Sequence, residues 1–337
     1  METSVFSKQS EMIGNTSLLK LDSLSEMTGS YIYVKCENEN PGGSIKDRAA
    51  LGMVQAALES GQLQRGMTIV EGTAGNTGIG LTLVGKSLGF PVRVVMPRGQ
   101  AQEKERMVGL FGGELHLVDP CPFRDPGHFY HTAKRFAEED PKQFWWANQF
   151  ENTDNYKVHF ETTGPEIWRQ TQGKIDVFVS AAGTGGTIGG VSSFLKQENP
   201  LVKTILVDPR GSGLKSYVDS GEFKSEGSSI TEGIGIMRLT QNFAAAKVDC
   251  AYSFDDQDIV TVARYLRDKD GIVLGTSSAL NVTAALFEGL QESGKRIVTI
   301  ACDSGERSFS KFYNDEFLRS KGIDPNESME VLLDRWR

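Results

Sequence analysis

The sequence predicts an α/β protein with two open, twisted, mostly parallel sheets and flanking helices. Three observations carry this. Strand-sized apolar runs alternate with helix-like segments along most of the 337 residues. That length exceeds what one small core uses, so two domains are expected. The glycine-rich stretches Thr73-Ala74-Gly75-Asn76-Thr77-Gly78 and Gly183-Thr184-Gly185-Gly186-Thr187 each follow such a run. They therefore fall at the carboxyl ends of strands, where open α/β sheets hold their ligands.

The elements follow in order. Residues 31–35 read as a short strand and 47–63 as a helix. A strand over 67–71 ends in the glycine-rich 72–78 loop, followed by a helix over 79–88. Next come a strand over 92–96, a helix over 102–111 and a strand over 114–118. A second series begins after the polar stretch 148–156. It has a helix over 163–171, a strand over 175–180, the second glycine loop and a helix running to Lys196. Residues 203–207 and 296–301 read as buried strands, with helices over 257–267 and 279–291. The tail 329–337 has the pattern of a short amphipathic surface helix. There is no internal repeat and no low-complexity segment.

Composition excludes several classes. The net charge is −8 with no basic cluster, which argues against nucleic acid and anionic membranes as partners. No apolar run is long enough for a transmembrane span, and the polar stretch Met1 to Ser10 lacks a secretory signal. Cys36, Cys121, Cys250 and Cys302 are scattered, with no Cys-x-x-Cys pair. A reducing compartment, and hence the cytoplasm, is expected.

Lys46 is the leading candidate for chemistry. It lies in Asn40-Pro41-Gly42-Gly43-Ser44-Ile45-Lys46-Asp47-Arg48, behind a glycine-rich turn at a helix start. Desolvation there lowers an amine's pKa and frees it as nucleophile and base; the plainer alternative is a solvated helix-start lysine. The 183–187 loop suits a phosphate, since glycines admit backbone N–H groups closely and the next helix adds its N-terminal dipole. A dinucleotide uses the same physics, with Asp208 near the place of a ribose-binding acid. Ile188 stands in place of the third glycine, so that fingerprint is incomplete. The 73–77 loop reads as a carboxylate nest. A tight strand–helix turn is the alternative and accounts for Gly72, Gly75 and Gly78, but not for Asn76. His128 and His131, with Cys121 nearby, lack a convincing fourth ligand, so no metal is expected. Cys302 reads as a buried, inert thiol, and Trp145 and Trp146 as core.

Taken with Asp303-Ser304-Gly305, these stretches describe a pyridoxal phosphate site, and the chain resembles the fold-type II pyridoxal phosphate enzymes. Within them it is similar to the cysteine synthase (O-acetylserine sulfhydrylase) and cystathionine β-synthase family. The matches run in family order from Ile13-Gly14-Asn15-Thr16 to Gly305-Glu306-Arg307, through Asn148-Gln149-Phe150 and Thr162-Thr163-Gly164-Pro165-Glu166-Ile167-Trp168. The resemblance implies that Lys46 forms the internal aldimine with pyridoxal 5'-phosphate. Asn76 would bond the ring hydroxyl, Gly183, Thr184, Gly185, Gly186 and Thr187 would hold the phosphate, and Ser304 would face the pyridine nitrogen. Thr73, Ala74, Gly75, Asn76, Thr77 and Gln149 would surround the substrate carboxylate, with Gly233 on the opposite wall.

The implied division is a smaller mobile domain over 41–151, a larger cofactor-anchoring domain over 1–40 plus 152–320, and a tail over 321–337. The site would lie in the cleft between the domains. The implied reaction is β-replacement, making L-cysteine from O-acetyl-L-serine and sulfide through an α-aminoacrylate, with Lys46 as the base. A neutral Ser304, with Asp303 facing away, is a weak electron sink and suits expulsion of a β-leaving group. Cystathionine β-synthase-like or cysteine desulfhydrase-type chemistry on serine or cysteine is the alternative within the same fold. A homodimer and binding of the serine acetyltransferase C-terminus are implied as well. The chain departs from the family pattern at Ala74, usually a serine, and at Gln100-Ala101.

Overall fold

The computed structural model describes residues 5–337; the first four, at the start of the 1–40 segment and of the Met1 to Ser10 stretch, lie outside the described residues. The chain opens with β1 (Leu18–Lys20), α1 (Asp22–Thr28), β2 (Tyr31–Cys36) and α2 (Lys46–Glu59). It continues through β3 (Thr68–Gly72), α3 (Asn76–Leu88), β4 (Val92–Pro97), α4 (Gln102–Leu110), β5 (Glu114–Val118), α5 (Phe129–Glu139) and β6 (Phe144–Trp146). Next come α6 (Asp154–Val158), a π-helical turn (His159–Thr163), α7 (Gly164–Gln170), β7 (Val177–Ala181), α8 (Gly186–Glu198) and β8 (Lys203–Val207). The last elements are α9 (Leu214–Ser220), α10 (Gln241–Ala244), β9 (Cys250–Tyr252), α11 (Asp256–Asp270), α12 (Thr276–Gln291), β10 (Arg296–Ala301), α13 (Asp315–Ser320) and α14 (Met329–Trp336).

Two sheets result, as the alternation predicts. One has the strand order β5-β4-β3-β6 and is wholly parallel. The other has the order β1-β2-β10-β7-β8-β9 and is parallel except for β1 against β2. The central strands β3 and β7 are buried along their whole length, as strands covered by helices on both faces must be. In the smaller sheet, Ala49, Ala50, Met53 and Val54 of α2 pack with Ile79 and Leu83 of α3 over one face, and Ala133 of α5 meets Val70 and Val95 on the other. In the larger sheet, α11 and α12 pack on Val177, Val179 and Ile205, while Ile188 and Val191 of α8 and Ile167 of α7 pack near Phe178 and Leu206.

The topology places the site. In the smaller sheet the chain runs outward from β3 to β5 and then returns to β6 on the other side of β3. In the larger sheet it runs outward from β7 to β9 and returns to β10 on the other side of β7. Strand order therefore reverses beside β3 and beside β7, and a crevice opens at each reversal, at the carboxyl ends of the strands. The two glycine loops follow these two strands. Between the sheets, α2 starts beside the end of β10, where Ile45 N–H donates to the Cys302 carbonyl at 2.9 Å.

Several elements differ from expectation. The helix expected over 47–63 stops at Glu59, before Gly61 in the left-handed region. The helix expected from residue 79 starts at Asn76, because Gly75, at φ 151°, turns the chain straight from β3 into α3. Asn76 and Thr77 thus occupy a first helical turn. Trp145 and Trp146 form an extra parallel strand on β3 as well as packing. The helix expected over 163–171 is the last part of a continuous coil of helix from Asp154 to Gln170, with the π-turn in its middle.

Candidate active site

A single cavity of about 240 Å³ lies between the two sheets. It is lined by Lys46 at the start of α2, by residues 73–77, by Gln149 and by residues 183–187. Gly233 stands on the far wall. The expected residues therefore meet at one place, with Ser304 the exception. Ser304 is half-buried, bridges to Leu274 through the backbone and is not among the lining residues. Cys302 is the residue of this strand end that lines the cavity. Ser304 is itself extended, at φ −93° and ψ 160°, and is held in the antiparallel bridge to Leu274 just before the 3-10 helix Gly305–Ser308.

The 183–187 loop has the shape of an anion cradle. Gly185 is at φ 87°, and a Cβ there would come within 2.5 Å of the Phe243 backbone nitrogen. Gly186 has no room for a side chain against Asn155, and Gly183 none against the Gly233 carbonyl. The loop is thus pinned with its backbone against the cavity, at the N-terminus of α8, where first-turn N–H groups lack intrahelical partners. Thr184 Oγ1 accepts from Asn155 Nδ2 at 3.0 Å. His159, on the π-turn and wholly buried, contacts Thr163 Oγ1 at 2.9 Å and Thr187 Oγ1 at 3.5 Å. Burial, with Arg48 and Lys46 nearby, holds its imidazole well below its ordinary pKa, so it is neutral.

The 73–77 loop is held from beneath. Thr73 Oγ1 accepts the Gly75 N–H at 3.1 Å, which leaves the hydroxyl proton free to donate. Thr77 donates to Gln149 Oε1 at 2.6 Å. Gln149 Nε2 donates to Glu71 Oε1 at 3.2 Å and to the Gly72 carbonyl at 3.1 Å. Both Nε2 hydrogens are therefore spent within the protein, so Gln149 shapes the loop through Thr77.

Asn76 is clamped on both sides of its amide. Nδ2 donates to Asp303 Oδ2 at 2.6 Å, and Oδ1 accepts from Arg307 Nη1 at 2.9 Å. One Nδ2 hydrogen stays free for a ligand. Arg307 also donates to the Gly42 carbonyl, and Gly42 N–H donates to Asp47 Oδ2 at 2.6 Å. This chain of bonds ties the start of α3, the end of β10 and the turn before Lys46 into one unit. Asp47 is buried, and burial pushes its carboxyl up to about 7 although the Gly42 N–H and Arg307 oppose it. The Cys302 thiol is likewise pushed up to about 11 by burial, which keeps it protonated and a poor nucleophile.

A phosphate cradle, a carboxylate-sized loop and a lysine in one cleft narrow the chemistry to a small set. The sequence matches the model of the family described as "Pyridoxal-phosphate dependent enzyme" over residues 9–303. The chain belongs to this family. As a pyridoxal phosphate-dependent enzyme it has relatives of similar length. It is 44% identical over 336 residues to "Cysteine synthase 2" of Schizosaccharomyces pombe, covering 93% of this chain and 85% of that one. It is 46% identical over 320 residues to "Cysteine synthase 1" of Emericella nidulans, covering 93% and 86%. Its fold matches the crystal structure of O-acetylserine sulfhydrylase isoform 3 from Entamoeba histolytica with a TM-score of 0.85 at 33% identity, over 100% of this chain and 97% of that one.

Other cavity residues were not legible as site residues. Lys104 and Glu232 line it and pair at 2.6 Å. Lys104 is marked only by its place in the first turn of α4, whereas Glu232 stands in Thr231-Glu232-Gly233-Ile234-Gly235, a stretch whose acid also resembles the cystathionine β-synthases. Phe129 and Phe150 also line the cavity. His128 caps α5 by accepting the Tyr130 N–H at 3.3 Å, and His131 meets the Phe123 carbonyl at 2.7 Å. Both are occupied by local structure.

Proposed function

We propose that the protein is a cysteine synthase that makes L-cysteine from O-acetyl-L-serine and sulfide with pyridoxal 5'-phosphate. The observation that carries this is one cavity that gathers Lys46, the 73–77 loop and the 183–187 cradle, in a chain similar to cysteine synthases. The cradle suits the cofactor because Gly183, Gly185 and Gly186 sit where any Cβ would overlap a neighbour, so only backbone N–H groups face a phosphate there. Pyridoxal phosphate, when bound, supplies a sink for electrons released at the substrate's Cα.

The chain's own residues do the rest. Lys46 holds the cofactor and moves the proton at Cα as the general base. Residues 73–77 receive the substrate carboxylate, with the Thr73 hydroxyl as a donor and Thr77 fixed by Gln149. Asn76, clamped by Asp303 and Arg307, would offer its free N–H to the cofactor's ring hydroxyl. Ala74 removes one hydroxyl donor from the loop, and the loss weakens carboxylate binding by about 1 kcal/mol. Ser304, the expected partner of the ring nitrogen, stays out of the lining, whereas Ser277 and Cys302 both face the cavity.

Residues 41–151 form the proposed mobile unit around the smaller sheet, and 1–40 with 152–320 the anchoring unit. A homodimer, the cytoplasm as compartment and the serine acetyltransferase C-terminus as partner complete the proposal. The decisive test is the absorption spectrum of the purified yellow protein. The band is expected to move on O-acetylserine and to return on sulfide, with cysteine released. A protein unmoved by O-acetylserine but responsive to serine or cysteine would instead point to the cystathionine β-synthase or desulfhydrase type.

A further inference from the structure

Arg307 stands behind the cleft, in the 3-10 helix Gly305–Ser308 that follows β10. It is 5% exposed, as is Asp303. Neither lines the cavity, whereas Lys46 and Asn76 both do. One guanidinium reaches the supports of both. Nη1 donates to Asn76 Oδ1 at 2.9 Å, and Nη2 donates to the Gly42 carbonyl, in the turn that leads into Lys46. That turn is shaped around its neighbours. Gly43, at φ 79°, has no room for a side chain against Arg307. Gly42 has none against the Asp47 carboxyl, whose Oδ2 accepts the Gly42 N–H at 2.6 Å. The two glycines ahead of Lys46 therefore admit a guanidinium at one position and a carboxyl at the other.

The Asn76 amide has one orientation in this setting. Its Nδ2 meets Asp303 Oδ2 at 2.6 Å and its Oδ1 meets Arg307. A carboxylate only accepts and a guanidinium only donates, so a flipped amide would set like against like on both sides. Bonds in a chain also polarise one another. The Arg307 charge on Oδ1 thus makes the remaining Asn76 N–H a stronger donor.

From this geometry we infer that Arg307 is a positioning residue of the cofactor site, which fixes how the Asn76 amide stands relative to the turn carrying Lys46. The inference rests on the roles of Lys46 and Asn76 proposed above. In pyridoxal phosphate the ring hydroxyl and the carbon group that a lysine joins occupy neighbouring ring positions. Two protein groups from separate elements must then meet adjacent parts of one small ring. A planar guanidinium, with its donors in a fixed fork, holds the supports of both at a set spacing. A lysine ammonium is a point charge on a flexible stem and has no such fork.

The test uses holoenzymes of the wild type, Asn76→Ala, Arg307→Met, Arg307→Lys and the two double variants with Asn76→Ala, dialysed to equilibrium against graded pyridoxal 5'-phosphate. Retained absorbance gives Kd. The band shape gives the ratio of visible to near-ultraviolet absorption, which follows the state of the ring hydroxyl's proton. Asn76→Ala and Arg307→Met are each expected to weaken binding about tenfold or more and to lower the ratio. Arg307→Lys is expected to follow Arg307→Met. In the Asn76→Ala background the Arg307→Met factor should shrink and the ratio should fall no further, because the part carried through Asn76 is already gone. Equal factors in the two backgrounds, or full rescue by lysine, would reduce Arg307 to a structural tie and overturn the inference. If Arg307→Met does not fold, Arg307→Lys in the two backgrounds decides. An Asn76→Ala variant with the wild-type Kd and ratio would refute the role given to Asn76 and the inference with it, a result distinct from equal factors.

Discussion

Glu71 carries Gln149 on both of its carboxyl oxygens: Oε1 accepts the side-chain Nε2–H at 3.2 Å, and Oε2 accepts the backbone N–H at 3.3 Å. Glu71 is wholly buried at the end of β3, one residue before the turn into the substrate loop. Through Gln149 and Thr77, a carboxyl group beneath the sheet's end thus sets the shape of the surface above it.

Burial raises the Glu71 carboxyl to about 8, against the pull of the Gln149 N–H groups. The unfolded chain ionises this group near 4.5, while the folded chain keeps its proton to about 8. Its contribution to stability is therefore full below 4.5 and declines as pH climbs through that window. Chemical denaturation of the wild type at pH 6 and pH 8 should show this decline, and Glu71→Gln should show less of it. Equal declines in the two proteins would refute the assignment.

Arg48 is wholly buried and bonds Glu37 and Glu166 together, at 2.7–2.8 Å to each. Lys35 adds a contact to Glu166 at 2.7 Å. Arg48→Met leaves two buried carboxylates short of their cation and should cost about 3–5 kcal/mol in urea unfolding. Burial raises the Glu166 carboxyl, but Arg48 and Lys35 outweigh it and depress it to about 2. Its stabilisation is present above 4.5 and is lost as pH falls towards 2. Arg48→Met should therefore flatten the acid limb of the stability curve.

Lys46→Ala removes both the cofactor anchor and the base. The variant should be colourless after desalting, and its cysteine formation should fall by at least about 10³-fold. Cysteine formation at the wild-type rate would exclude Lys46 from the mechanism.

Gly185→Ala forces a side chain into the left-handed region and against the Phe243 backbone. The strain is expected to cost about 1–3 kcal/mol and to tilt the cradle. Titration of the apoprotein with pyridoxal phosphate, followed by absorbance, should show affinity lower by about tenfold or more. Gly221→Ala, also at positive φ but with nothing within 4 Å of the added Cβ, is the control for backbone strain alone and should bind the cofactor as the wild type does.

Much of this was legible in the residues. The β3 and β7 runs, each followed by glycines, announced buried parallel strands with ligand loops. Lys46, Asn76 and the 183–187 loop were marked by their local company. Other features left no local mark. The short strands β1, β6 and β9 are three residues each, too few for a period to register, and exist because neighbouring strands offer an edge. Ser304 lies two residues beyond Cys302, which lines the cleft, yet is held in a bridge to Leu274 and stays out of the lining.

The sequence by itself determined the fold class, the two ligand loops and the lysine between them, because hydrophobic period and glycine placement act over a few neighbouring residues. Tertiary structure alone decided what those groups touch. Lys104 meets Glu232 across 128 positions of chain, Asn76 meets Asp303 across 227, and Gln149 meets Glu71 across 78. Such pairings depend on how two sheets face one another and on which rotamer each buried polar group needs to keep its hydrogen bonds.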